Sequence, residues 1–347
     1  MNLRKLYQWV KKTSNDWGGV TRHFRKNVQV FARGVARSGS SQIWKIAGAS
    51  GGRAASQRRR LQRFLAQEQP LEVFFRGWTK SVVKLLAQKL IVLVVDETKL
   101  KDEWGVMVVG VVYKGRCIPL AWQVYRANSH ADYPAEGQSH LIIRLLQQIK
   151  AGVPKGVKVR VLADRGIGTS PGLMRGIMAL NWTFLFRVTK QSKIILPTGE
   201  AVCFYDQVTV PGETYSAQGL VFKKRGQIPA HVRVLWSKHA QERWALVTND
   251  SALTGWEYGQ RMWIEEAFRD LKSYGWQLEQ AICDCPKRMA HLWILLVVAY
   301  AWMVFLGAAV LDLGKVTLKY RSEGEPVRRW SLFREGRQTF LSASPPS

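Results

Sequence analysis

Acidic residues are scarce in this 347-residue chain, where 25 Asp and Glu face 52 Lys and Arg and leave a formal charge of +27. Cysteine is scarcer still, with four in all. That number excludes a disulfide framework, and a reducing cytoplasm is the expected compartment. The opening MNLRKLYQWVKKTSND holds no apolar stretch of the kind a secretory signal needs, so export is not expected. The six histidines are scattered, without metal spacing or a Ser/Asp triad. Cys283-x-Cys285 lacks both the two-residue spacer and the second pair of a structural zinc site. No Gly-Lys-Ser/Thr follows Gly166-Ile-Gly168, which removes a phosphate loop. Internal repeats and low-complexity segments are also missing.

Apolar residues are plentiful. At 47% of the chain they exclude a disordered basic tail, because such tails have nothing to bury. A strongly basic protein with a real core points to a polyanion, and nucleic acid is the first candidate. An anionic membrane surface is the competitor. Leu292–Leu311 runs for 20 residues without a charge, long enough to cross a bilayer. It stands alone, contains Tyr300 and Gly307, and follows a highly charged helix. A central helix packed on all sides looks the same, and that reading, with no membrane, is preferred.

The charge is uneven: the first 88 residues hold 18 Lys and Arg against three acids. Residues 40–47 form a short apolar-periodic piece, 48–52 a Gly-Ala-Ser-Gly-Gly break, and 53–65 an arginine-loaded helix. Two helices around a glycine turn suggest a helix-turn-helix-like unit that lays Arg53, Arg58, Arg59, Arg60 and Arg63 on DNA. A self-solvating basic hairpin fits the same residues. Residues 1–85 are therefore expected to be a small, basic, helical DNA-end-binding domain.

From residue 90 the pattern changes to strands. Leu90–Val95 is a buried-strand run leading into Asp96-Glu97-Thr98, and Trp104–Tyr113 and Cys117–Tyr125 follow around a Lys114-Gly115-Arg116 turn. Residues 139–150 read as an amphipathic helix. Val157–Ala163 ends at Asp164-Arg165-Gly166, and a short helix and the strand Trp182–Val188 complete the set. This β-β-β-α-β-α-β order is ribonuclease-H-like. The expected fold is α/β, a ribonuclease-H-like mixed sheet spanning 86–312 with a β-strand insertion over about 189–253. Within the insertion Val208–Val210, Leu220–Lys224, Val232–Trp236 and Arg243–Thr248 look strand-like. A helix over about 255–274 and a loosely ordered basic tail, 313–347, close the chain.

A carboxylate ending a buried strand is costly unless a cation neutralises it. Asp96 and Asp164 both stand there, although either alone would be an ordinary strand-end acid. On a helix running through 255–274, Tyr258, Arg261, Glu265 and Lys272 fall at about 0°, 300°, 340° and 320°, while Glu266 points to about 80°. One carboxylate flanked by two cations and a phenol suits a metal ligand beside phosphate contacts, and Glu265 is chosen over Glu266. Three carboxylates without histidine or thiolate suit hard divalent ions, Mg²⁺ or Mn²⁺.

Tyr258-x2-Arg261-x3-Glu265-x6-Lys272 matches without departure the Tyr-Arg-Glu-Lys signature of the insertion-sequence-four family of bacterial DDE transposases. Asp96-Glu-Thr and Ala163-Asp-Arg-Gly166 resemble its first and second acidic motifs. The resemblance covers roughly residues 90–310. It implies two metal ions held by Asp96, Asp164 and Glu265, the catalytic residues, and no covalent protein intermediate. It further implies double-stranded DNA as partner, both the terminal inverted repeats and the target, and a homodimer in the synaptic complex. A bacterial, nucleoid-associated setting follows. Nicking, hairpin formation, hairpin opening and strand transfer would follow in order. Trp244 looks like the residue that receives a flipped base, although a core indole fits a strand equally well in a chain with 15 tryptophans. Trp236 is the next candidate for that role, and Arg187 is a candidate backbone contact. Two alternatives remain: a related structure-specific nuclease that does not integrate, and a DNA-binding descendant without catalysis.

Overall fold

The β-branched run that opens at Leu90 becomes an interior strand, third in order, of a ten-stranded mixed sheet. The structure, a computed structural model, describes residues 17–68, 70–129, 131–222, 226–314, 318–319, 327–328 and 330–342. Among the described residues four helices come first: α1 (Arg22–Ser38), α2 (Ile43–Ala49), α3 (Ala54–Leu65) and α4 (Leu71–Leu86). Thr21 caps α1 by accepting from Phe24 N, and Gly39 closes it in the left-handed region. The strands β1 (Leu90–Leu100), β2 (Trp104–Tyr113) and β3 (Arg116–Arg126) form an antiparallel meander. Helix α5 (Gly137–Lys150) crosses over to β4 (Lys158–Ala163), which pairs parallel to β1. One turn, Arg165–Gly168, and helix α6 (Pro171–Ala179) lead to β5 (Thr183–Arg187), parallel to β4.

The inserted strands extend the same sheet. They are β6 (Lys193–Ile195), β7 (Ala201–Cys203), β8 (Thr214–Val221), β9 (Ile228–Leu235) and β10 (Trp244–Thr248). β10 pairs antiparallel with β5, and the full order is β3-β2-β1-β4-β5-β10-β9-β8-β6-β7. Val208–Val210, expected as a strand, follows a 3₁₀ turn as irregular chain, and the strand begins at Thr214. Of the expected strand Leu220–Lys224, Lys223 and Lys224 lie outside the described residues.

Register fixes the two faces of the sheet. Asp96, Val108 and Trp122 stand side by side on β1, β2 and β3. On their face Trp122 Nε1 donates to the Ala290 carbonyl of α8 (Pro286–Asp312) at 3.1 Å. On the opposite face Arg144 of α5 donates to Gln123 at 3.4 Å. Between β10 and α8 lie a 3₁₀ segment, Trp256–Arg261, and α7 (Met262–Leu271).

Between Arg288 and Asp312 the 27-residue α8 is apolar all round because protein surrounds it, and 78% of the helix's most apolar window is buried. His291 meets the Phe64 ring of α3 edge-on at 6.1 Å. Tyr300 lies against Phe333 of α9 (Leu332–Ser342) at 5.4 Å. A Cβ at Gly336 would come within 1.8 Å of the Met303 carbonyl, so glycine permits this close crossing. Part of the expected loose tail is therefore a docked helix. The N-terminal helices share the core too: Phe75 packs on Trp122 at 4.8 Å, and Trp78 Nε1 donates to the Pro119 carbonyl at 2.9 Å. The first 16 residues of the expected 1–85 domain lie outside the described residues.

Candidate active site

Strand pairing builds the site. The parallel register of β1 with β4 ends at Val95↔Ala163, and that of β4 with β5 at Ala163↔Phe186. The next position along each chain is Asp96, Asp164 and Arg187. Asp96 does not end its strand, as expected from the sequence, because antiparallel pairing with β2 carries β1 on to Leu100. What ends at Val95 is the parallel half of its pairing, and that leaves the carboxylate at the lip of the sheet.

The expected long helix over 255–274 is also broken in two. Gly255, at φ +100°, starts the 3₁₀ segment, and a Cβ there would meet Leu235 at 2.7 Å. The α-helix proper runs from Met262 to Leu271 and stops at Lys272, whose ψ of −106° is not helical. The even helical wheel therefore does not describe Tyr258 and Lys272. Tyr258 is buried and meets Trp244 edge-on at 5.1 Å, and burial pushes its phenol above the ordinary range. Lys272 donates to the Lys99 carbonyl at 2.6 Å, at the far end of β1.

Arg261 joins the three acids. Its Nη2 lies 3.0 Å from Asp96 Oδ2 and 3.6 Å from Asp164 Oδ2, and its Nη1 donates to Glu265 one turn further on. Asp96 accepts from the Glu97 N–H at 3.0 Å, and Asp164 caps the following turn by accepting from Ile167 N at 3.1 Å. Burial raises the Asp96 carboxyl to about 6 although Arg261 opposes the rise, and the Asp164 charge adds to it. Glu266 faces another way, toward Arg116 on β3 at 3.8 Å. Arg116 also pairs with buried Asp270 at 3.1 Å. Burial raises Asp270 to about 6, again against its arginine.

Three carboxylates around one guanidinium leave negative charge at a partly desolvated spot. An all-oxygen donor set of this kind fits a hard divalent ion. Among the described residues no three acids converge directly on one point, because the guanidinium stands between them.

The remaining expected residues are dispersed. Trp244, half-buried at the start of β10, lies between Tyr258 and the exposed Trp256, 6.3 Å away. Trp236 is engaged elsewhere, donating to the Ala240 carbonyl at 3.0 Å under the Arg243 guanidinium. Arg53, Arg58, Arg59 and Arg63 are exposed along α3 and its N-cap. Arg60 differs: it turns inward to Asn27 of α1 at 2.7 Å and over the Phe31 ring. Sequence reasoning missed Glu242, which pairs with Arg187, and the two further cations that reach the same carboxylate, Arg165 and Lys190. Adjacency was the available signal, since Arg165 follows Asp164 and Glu242 stands two residues before Trp244.

Residues 92–302 match the family described as transposase DDE domain, and the chain belongs to that family. The mixed sheet and its flanking helices are consistent with a domain of this family. No curated protein matches the chain.

Proposed function

We propose that this protein is a cut-and-paste transposase of the insertion-sequence-four kind, working as an endonuclease and DNA strand transferase at the ends of a bacterial insertion sequence. The supporting observation is the meeting of Asp96, Asp164 and Glu265, from three separate elements, around Arg261. These three carboxylates would hold the divalent ions, two Mg²⁺ or Mn²⁺. Such ions supply Lewis acidity toward a phosphodiester and a lowered pKa for an attacking water or 3′-hydroxyl.

The chain's own residues do the positioning. Asp96 and Asp164 are fixed by strand register and a capping hydrogen bond, so their oxygens are preorganised. Glu265 keeps 45% of its side chain exposed and closes the site from the helix side. Trp244, half-buried beside Tyr258, would stack its indole against an unstacked base of a hairpin end. The exposed arginines of α3 would grip the duplex at the terminal repeat. Pairing of two such complexes as a homodimer would bring the two ends together in the cytoplasm.

The experiment is incubation with Mg²⁺ and a labelled duplex carrying the inverted repeats that flank the gene. Nicked, hairpin and joined products support the reading. Cleavage without joining leaves a nuclease, and binding without any product sinks the enzymatic reading.

A further inference from the structure

Beside the acids lies a second cluster with its charge ratio inverted. Arg187, next in line after Asp96 and Asp164 along the lip of the sheet, donates to Glu242 Oε2 at 2.5 Å. Lys190 Nζ reaches Glu242 Oε1 at 3.1 Å, and Arg165 Nη1 lies 3.6 Å from the same oxygen. Three cations from separate points of the chain thus surround one carboxylate. Hydrogen bonds from Arg187 and Lys190 hold that carboxyl below its ordinary range, so it is anionic at neutral pH.

A protein of net charge +27 has no shortage of acid-free surface for its cations. Here it places one of its few acids two residues before Trp244 and directly against three of them. Two positive charges remain uncompensated. Arginine forks bind carboxylate and phosphate through the same paired geometry. The contacts are also displaceable, because Arg165, Lys190 and Glu242 keep 48%, 47% and 38% of their side chains in solvent.

We infer that Arg165, Arg187 and Lys190 form a seat for one phosphate of the substrate DNA strand, and that Glu242 occupies this seat in the free protein and is displaced when DNA binds. The inference rests on the DNA reading proposed above. Because Arg165 follows Asp164 directly, a phosphate in the seat lies close to the scissile position. Glu242 then acts as an internal competitor that DNA must outbid, which disfavours loose contacts with arbitrary duplex.

The test measures anisotropy of a short fluorescent duplex of arbitrary sequence across salt, for the wild type, Glu242→Gln and a charge-matched control. Asp250→Asn serves as control, since Asp250 pairs with Arg160 at 3.9 Å toward the other ends of the strands, away from the lip. One more phosphate held steepens the salt slope by about 0.9, so a fourfold rise in salt costs Glu242→Gln about 3.5-fold more affinity than wild type. Asp250→Asn should overlay the wild type, and Glu242→Gln combined with Arg187→Ala should fall back to it. Equal shifts in Glu242→Gln and Asp250→Asn, or weaker binding by Glu242→Gln, overturn the seat while leaving the DNA reading in place. No binding by any variant overturns both.

Discussion

The Arg261 cluster and the Glu242 cluster are built from the same ingredients in opposite proportion. One sets a single guanidinium among three carboxylates, and the other sets a single carboxylate among three cations. They share the lip of one sheet, in consecutive strands. Each minority charge keeps its neighbours from repelling one another, and each leaves an excess that a ligand of the opposite sign can satisfy. A divalent cation suits the first and a phosphate suits the second. Together they complement a metal-bound phosphodiester, whose own charges lie in the same order.

The contrast breaks most sharply at the acids. Asp96→Asn, Asp164→Asn and Glu265→Gln keep the shape and remove a charged oxygen, so cleavage of an end duplex in Mg²⁺ should fall by roughly 10³-fold or more. DNA binding should survive. Glu266→Gln, which faces Arg116, should stay active; a dead Glu266 variant beside an active Glu265 variant would overturn the assignment.

Removing the minority charge comes next. Arg261→Ala leaves three acids without their shared cation and should cost about 3–5 kcal/mol of stability in a metal-free buffer. Millimolar Mg²⁺ should return more of the melting temperature to this variant than it adds to the wild type. An equal Mg²⁺ shift in both would mean that the acids do not bind the ion.

Asp270 supplies a comparison inside the arginine pairs. Its carboxyl is raised from 3.8 to about 6 by burial despite Arg116, so ionisation disfavours the folded state. Its stabilising contribution is whole below about pH 4 and is lost as pH rises through about 6. Asp270→Asn should therefore gain on the wild type by up to about 3 kcal/mol between pH 4 and pH 7 in denaturant melts. A gap that does not change with pH would show that Arg116 balances burial, and a gap of opposite sign that it outweighs burial.

The smallest effect belongs to Trp244, which packs against Tyr258 and Trp256. Trp244→Ala should spare the first nick and slow hairpin formation and opening about tenfold, the equivalent of about 1.4 kcal/mol. A pre-cleaved end should restore joining. Equal loss at every step, with a lowered melting point, would assign the indole to the core.

The sequence carried the strand order well, because buried strands such as Leu90–Val95 and Val157–Ala163 announce themselves by composition and by the acids that follow. Pairing beyond β5 was not legible. Nothing in Arg243–Thr248 names β5 as its neighbour, and it is that pairing that brings Glu242 to Arg187. The 3₁₀ turn over Trp256–Arg261 was hidden for a related reason: it opens at Gly255, where Leu235 and Leu246 leave no room for a Cβ, and those are tertiary neighbours. The helical wheel still separated Glu265 from Glu266, since both lie within the true α-helix where 100° per residue holds. It misplaced Lys272, which lies past the break.

Helix α8 also inverts the order of synthesis and the order of burial. Phe64 of α3 waits for His291, and Trp122 of β3 waits for the Ala290 carbonyl. Both partners belong to a segment synthesised well after the residues that wait, 168 residues later in the case of Trp122 and Ala290. The arginine-bearing helix α3 is translated before α8 and is fully packed only once α8 docks, so a late segment sets the moment at which an early one is complete.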